Sequence, residues 1–291
     1  MHAERITDVV AYHMEGPCWW PGWDGLRFVD MLAGEILSMS GEGHLSRRKL
    51  GRIAAVVRPR AGAGGNGAGG SGAGMVVATE RGVTLVDADD TVTPLPDLWD
   101  DDSIRMNEGG VAPDGSLYLG QMSYAKTEGA AAMFRMDAER RTTRVLTGLT
   151  ISNGLDWSPD GTLAYYNDTA TGRVDVFDWT AQDGLVNRRP FVALPDAGRP
   201  DGLTVDAQGG VWVAVVNRGR VEHYASDGTL ADVVEVPATR VTACTFGGPD
   251  LADLFITTSR ENLAEGQDPQ AGSLFRATPG VRGKLPHAFA G

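Results

Sequence analysis

An asparagine opens the stretch ISNGLDWSPDGTLAYYND (151–168), where Asn153 stands eight residues before Gly161. The same step of eight separates Asn107 from Gly115 and Asp201 from Gly209, and Glu15 lies ten residues before Gly25. Asparagine and aspartate are poor strand formers, yet Asn153 is followed by glycine and then by apolar, strand-like residues. What the four residues share is a side-chain oxygen. Carboxylate and carboxamide oxygens are the ligands that hard divalent ions take: Ca²⁺, Mg²⁺ and Mn²⁺, and also Zn²⁺ with water completing its shell. Two carboxylates, Glu15 and Asp201, match the charge of one such ion. A lone Asn-Gly or Asp-Gly is ordinarily a turn, but four oxygen donors in common phase read as a site.

The elements that must position them form a repeat. APDGSLYLG (112–120), SPDGTLAYYND (158–168) and DAQGGVWVAVV (206–216) are each a turn, a glycine and a strand. Gly115, Gly161 and Gly209 are 46 and 48 residues apart, and the turn at GGPDLADLFITTS places Asp250 41 residues further on. Upstream, Gly25 of GWDGLRFVDM lies 90 residues before Gly115, two periods away. Helical periodicity is almost absent. Short apolar or alternating runs such as VDVFDW and GVWVAVV alternate with PDG, SDG and GGPD clusters, an all-β pattern. A period of this length with four strands per unit predicts a β-propeller, and 291 residues accommodate six blades. The reading is one domain over 1–291, with RITDVVAY supplying the strand that closes the ring. RAGAGGNGAGGSGAG (60–74) reads as a flexible Gly/Ala loop inside it. In a propeller, equivalent positions in successive blades lie at one height, so Glu15, Asn107, Asn153 and Asp201 are expected at one mouth of the channel.

Composition bounds the function. The chain is 42% hydrophobic and 22% charged, ordinary for a globular protein, and its net charge of -12 argues against a nucleic-acid surface. Two cysteines, Cys18 and Cys244, make neither a disulfide framework nor a zinc spacing, and are expected to be buried free thiols. The N-terminal segment lacks the apolar run of a signal peptide, and no segment approaches a membrane span. These features imply a cytoplasmic protein with no nucleic-acid or membrane partner, a monomer or weak homodimer. The five histidines are scattered, and no GxSxG elbow or Walker loop is present. The GxGxxG match at Gly62–Gly67 has no following helix and carries no weight. Trp19, Trp20, Trp23 and Trp157 are expected to pack the blades.

HMEGPCWW, RMNEGGVAPDGSLYLGQM, ISNGLDWSPDGTLAYYND, RPDGLTVDAQGGVWVAVVNRGRV, TACTFGGPDLADLFITT and the closing HAFAG together resemble the regucalcin / senescence-marker protein / gluconolactonase family. The resemblance runs through most of the chain and is strongest from about residue 100 onward. It implies a six-bladed propeller holding one divalent metal ion, Ca, Zn, Mg or Mn, that hydrolyses sugar-acid lactones. The family's ligands, the glutamate of EGP, the asparagine of SNGLDW and the aspartate of PDG, fall on Glu15, Asn153 and Asp201. Its substrate-binding arginine and asparagine fall on Arg105 and Asn107. Asp201 is also the residue expected to accept the proton of the attacking water, and Asp168 is a candidate to hold a ligand in place from behind or to touch substrate.

Two departures bear on substrate. The family's RxND is Arg105-Met106-Asn107-Glu108 here, one methylene longer at its last residue. Where many relatives carry a glutamate three residues after the methionine of GTM, this chain has Gly120-Gln121-Met122 and then Ala125, with Glu128 nearby as a substitute. Two rivals to a small sugar lactone follow. One is a metal-dependent hydrolase of a non-sugar lactone, ester or organophosphate. The other is a non-catalytic calcium-binding propeller, against which the joint presence of Arg105 and the Glu/Asn/Asp set argues.

Overall fold

The structure is a computed structural model describing residues 1–23, 25–62 and 74–291. Among these residues the chain folds into six four-stranded antiparallel sheets, the blades of a β-propeller, as the repeat predicts. Most of the expected Gly/Ala loop (60–74), with the Gly62–Gly67 match, lies outside the described residues.

After a short first strand, β1 (Glu4–Arg5), blade 1 contains β2 (Met14–Trp20), β3 (Gly25–Asp30), β4 (Glu35–Ser40) and β5 (Leu45–Lys49). Blade 2 contains β6 (Ala54–Pro59), β7 (Met75–Thr79), β8 (Val83–Val86) and β9 (Val92–Pro94). Blade 3 contains β10 (Ile104–Val111), β11 (Leu117–Ser123), β12 (Ala131–Met136) and β13 (Thr142–Leu149). Blade 4 contains β14 (Ser152–Trp157), β15 (Leu163–Asp168), β16 (Arg173–Thr180) and β17 (Gly184–Ala193). Blade 5 contains β18 (Pro200–Val205), β19 (Val211–Val215), β20 (Arg220–Tyr224) and β21 (Leu230–Glu235).

Blade 6 breaks the pattern. It takes β22 (Val241–Gly247), β23 (Asp253–Thr258) and β24 (Phe275–Ala277) from the end of the chain and β1 from its start. The pairs are Glu4↔Arg276 and Arg5↔Phe275. The closing strand comes from the expected end of the chain, but of RITDVVAY only Arg5 belongs to it. Beyond Arg5 the segment makes scattered backbone bonds, among them Ile6 N–H to Leu274 O and Val10 N–H to Gly272 O, both 2.9 Å, and Arg260 N–H to Tyr12 O at 2.8 Å.

The phase glycines explain the regular spacing. Gly115, Gly161 and Gly209 have φ of 81°, 70° and 88°, the left-handed region that only glycine enters freely. Each donates its N–H to the carbonyl three residues earlier, Ala112, Ser158 and Asp206. Gly25 differs, because it opens β3 instead of lying in such a turn. The 3-10 turn Pro21–Trp23 intervenes between β2 and β3, which accounts for the ten-residue step from Glu15.

The chain divides into two compact units. One comprises Met1–Pro17 and Asn153–Lys284, the other Cys18–Ser152 and Leu285–Gly291. In the first, Val205, Val213, Tyr165 and Val174 form one core cluster, and Trp212, Phe246, Ile256 and Phe275 form another. In the second, a core of Val29, Val57, Val77, Leu119 and Met136 also takes in Phe289. Cys18 and Cys244 are buried free thiols, as expected. Among the described residues no helix is long and apolar enough to cross a membrane.

Within the second unit, a buried ion pair joins blade 2 to blade 3. Arg58 donates from Nη2 to Glu108 Oε1 at 3.2 Å and to Gly109 O at 2.8 Å. Glu108 is 4% exposed, and its Oε1 also accepts the Gly109 N–H at 2.9 Å. Burial pushes the Glu108 carboxyl up, and the Arg58 guanidinium opposes the shift. Glu108, a candidate substrate contact by sequence, is therefore engaged between blades. Removing one partner of a fully buried pair costs about 3–5 kcal/mol, but Arg58 keeps 15% of its side chain exposed. Glu108→Ala is therefore expected to lose about 1–3 kcal/mol, the cost of a hydrogen-bonded group left without its partner, in urea unfolding. A midpoint unchanged from the parent protein would contradict the pairing.

Candidate metal centre

In four of the blades the ladder between the first two strands fails at a recurring place. Between β10 and β11 the register shifts between Met106 and Glu108, leaving Asn107 outside the pairing. Between β18 and β19 it shifts between Pro200 and Leu203, leaving Asp201 and Gly202. Shifts of the same kind leave Ala55 in β6 and Thr242 in β22. A bulge of this type re-aims one side chain and frees its peptide from the sheet. Glu15 and Asn153 are, like Ala55, Asp201 and Thr242, the second residue of their strands.

Asn153 and Asp201 are consequently strand residues, and the glycine after each has a different purpose from a turn. A Cβ on Gly154 would lie 2.6 Å from Leu203 N and 2.7 Å from Asp201 O, so β14 and β18 touch there. A Cβ on Gly202 would lie 2.8 Å from Ala243 Cα, so β18 and β22 touch as well. The Thr242 hydroxyl then donates to Met14 O at 2.6 Å, linking β22 to the residue before Glu15. Asn153, Asp201, Thr242 and Glu15 thus occupy one phase of four strands that meet in succession, all within the first compact unit.

The three oxygen donors are buried, with Glu15 4%, Asn153 5% and Asp201 6% exposed. Asn153 donates from Nδ2 to Thr169 Oγ1 at 3.0 Å, while its buried Oδ1 receives no hydrogen bond. The amide is thereby oriented with its acceptor unused. Thr169 in turn donates to Pro200 O at 2.8 Å, the carbonyl preceding Asp201. Near Glu15, His13 Nε2 is 3.9 Å from Oε1, and His13 Nδ1 shares a 2.6 Å hydrogen bond with Ser259 Oγ. Asp168 caps the 3-10 turn Thr169–Thr171, accepting from Ala170 N–H at 3.3 Å, and so holds the turn that carries Thr169. Among the described residues no three or more His, Cys, Asp or Glu side chains gather as a metal cluster. A metal site here would need the carboxamide as a full donor beside the two carboxylates, a donor set suited to a hard divalent ion.

Arg105 and Asn107 belong to the second unit and are built together. Arg105 Nη1 donates to Asn107 Oδ1 at 2.9 Å, to Met106 O at 2.8 Å and to Met31 Sδ at 3.1 Å. Asn107 Nδ2 donates to Ser152 O at 2.9 Å. Asn107 therefore differs from Asn153, since both ends of its carboxamide are engaged by protein. The Arg105 guanidinium lies 6.0 Å from the Tyr124 ring centroid, and the Tyr124 hydroxyl donates to Glu80 Oε1 at 2.6 Å. Burial and the Glu80 carboxylate push that hydroxyl up to about 12, so it stays a neutral donor. Glu128 lies on the exposed turn between β11 and β12.

Sequence reasoning missed Thr242, although Asp250 stands eight residues after it and the step used for the other blades leads to it. It also passed over Asn167, whose Nδ2 donates to Asp201 O at 2.7 Å.

The geometry can be set beside known proteins. Residues 14–260 match the family model described as SMP-30/Gluconolactonase/LRE-like region. Regucalcin of Danio rerio is 31% identical over 288 residues, covering 95% of this chain and 94% of the relative. Among solved structures, a calcium-binding regucalcin from Agrobacterium tumefaciens superposes with a TM-score of 0.89 at 26% identity, covering 99% of this chain and 97% of that one. A luciferin-regenerating enzyme gives a TM-score of 0.88 at 26% identity, with 98% of each chain covered. The chain belongs to the SMP-30/gluconolactonase/LRE-like family.

Proposed function

We propose that this protein is a divalent-metal-dependent lactonase that opens a sugar-acid lactone to the aldonic acid. The observation that carries the reading is Asn153 Oδ1, a buried acceptor with no hydrogen bond, at the same strand phase as the carboxylates of Glu15 and Asp201. Family membership supports it, as gluconolactonases give the family part of its description. Glu15, Asn153 and Asp201 would hold one ion, of Ca, Zn, Mg or Mn. Such an ion, when bound, polarises an ester carbonyl and makes water a nucleophile near neutral pH.

The rest of the chemistry falls to the chain. Asp201 accepts the proton of the attacking water and returns it to the ring oxygen that leaves as an alcohol. Glu15 supplies the second negative charge of the site. Thr242 holds the Met14 carbonyl and so fixes the strand segment that aims Glu15. Arg105 and Asn107 bind substrate oxygens, the arginine orienting the carboxamide through its 2.9 Å bond to Oδ1. Asp168 acts through the turn that it caps, by which Thr169 fixes the Asn153 amide.

One observation favours a second substrate class. The Tyr124 ring is 41% exposed beside Arg105, and the residue after it is only an alanine. An exposed aromatic ring offers apolar contact area that a non-sugar lactone or ester can use.

Asp201→Ala is expected to lose bound metal and to reduce lactone turnover by about 10²–10⁴-fold or more, the range of a lost general base, with the β-sheet circular dichroism intact. The assay is pH-stat hydrolysis of aldonolactones, non-sugar lactones, aryl esters and organophosphates under each of the four ions. Full turnover by Asp201→Ala, or by protein stripped with chelator, would refute the reading. Metal binding without hydrolysis of any of these compounds would favour a calcium-binding propeller.

A further inference from the structure

We infer that Asn167 is a positioning residue of the metal centre and sets its affinity for the ion, an inference that rests on the lactonase reading above. Asn167 is fully buried in β15, where the default occupant of a strand is apolar. A carboxamide there is costly unless its polar atoms are used. Its Nδ2 is used: it donates to the main-chain oxygen of Asp201 at 2.7 Å. Its Oδ1 is buried and receives no hydrogen bond, the same condition as Asn153 Oδ1 in the neighbouring strand of that blade.

The physical need for Asn167 lies in β18. The ladder to β19 skips Asp201 and Gly202, so the Asp201 carbonyl sits where regular pairing has lapsed. A buried carbonyl in that position needs another donor. Blade 4 provides two in a row. Thr169 Oγ1 donates to Pro200 O at 2.8 Å, and Asn167 Nδ2 donates to Asp201 O. The peptide that carries the Asp201 side chain is therefore clamped at both of its flanking carbonyls by the blade that carries Asn153. Loosening the Asn167 half of the clamp frees the Asp201 peptide to rotate and moves its carboxylate relative to Asn153. Outer residues that orient metal ligands are worth about 10–100-fold in affinity.

The test is isothermal titration with Mn²⁺ of the parent protein, Asn167→Leu and Leu163→Ala, each also unfolded in urea without metal. Leu163 is a half-buried residue of the same strand that packs on the blade's apolar cluster, so its truncation weakens the blade without touching the clamp. Asn167→Leu is expected to bind Mn²⁺ about 10–100-fold more weakly than the parent. Leu163→Ala is expected to keep the parent affinity even where its urea midpoint falls. Asn167→Ser, smaller and hydrophilic, is held to the same criterion if Asn167→Leu does not fold. Parent affinity in the Asn167 variants would overturn the inference and leave the lactonase reading standing. An equal loss in Leu163→Ala would reduce Asn167 to a structural residue and overturn it too. A parent protein that binds no Mn²⁺, Ca²⁺, Mg²⁺ or Zn²⁺ would remove both.

Discussion

The main chains of β14, β18 and β22 come into contact at Gly154 and Gly202, where even a methyl group would collide with the neighbouring strand. The proposed site depends on that approach, which joins strands of separate blades and requires glycine after Asn153 and after Asp201. The bulge at the same level completes the device, because a residue released from its ladder can turn its side chain away from the alternation of the sheet.

Such a device leaves polar groups unpaired by the sheet, and the fold answers with side chains. Thr242, Thr169 and Asn167 each donate to a main-chain oxygen beside a proposed ligand: Met14 O, Pro200 O and Asp201 O. A buried carboxylate is expensive unless it is paired or coordinates a metal. Glu15 and Asp201 are both buried and stand at one strand phase with the Asn153 carboxamide. Glu108 is as buried, is met by Arg58, and joins blade 2 to blade 3.

Much of this was legible in the sequence because the repeat is written in chemistry. The left-handed glycine of each turn marks a fixed point, and a constant step of eight residues carries the count back to Asn107, Asn153 and Asp201. That the start of the chain closes the last blade was legible, but the strand itself was not: it is Glu4–Arg5, and of RITDVVAY only Arg5 belongs to it. Other features depend on which neighbour lies across a blade boundary, and no period reports that. Glu108 gave no sign of Arg58, fifty positions earlier in another sheet. Nothing in the sequence pointed to Asn167, because the carbonyl it meets lies 34 residues away. Thr242 was within reach of the eight-residue step but is no metal ligand by type, so a search for ligands passed it by. That Asn107 differs from Asn153 emerges only from its hydrogen bonds, which engage both ends of the carboxamide.

The proposed lactonase chemistry requires side-chain oxygens from blades 1, 4 and 5 to share one ion. Diffraction from crystals grown with Mn²⁺, collected for the anomalous signal of the metal, tests it most directly. The predicted result is a single strong peak with oxygens of Glu15, Asn153 and Asp201 inside the coordination distance of about 2.0–2.6 Å typical of hard divalent ions. A peak ligated by other residues, or well-ordered crystals with no peak at these three side chains under saturating metal, would contradict it.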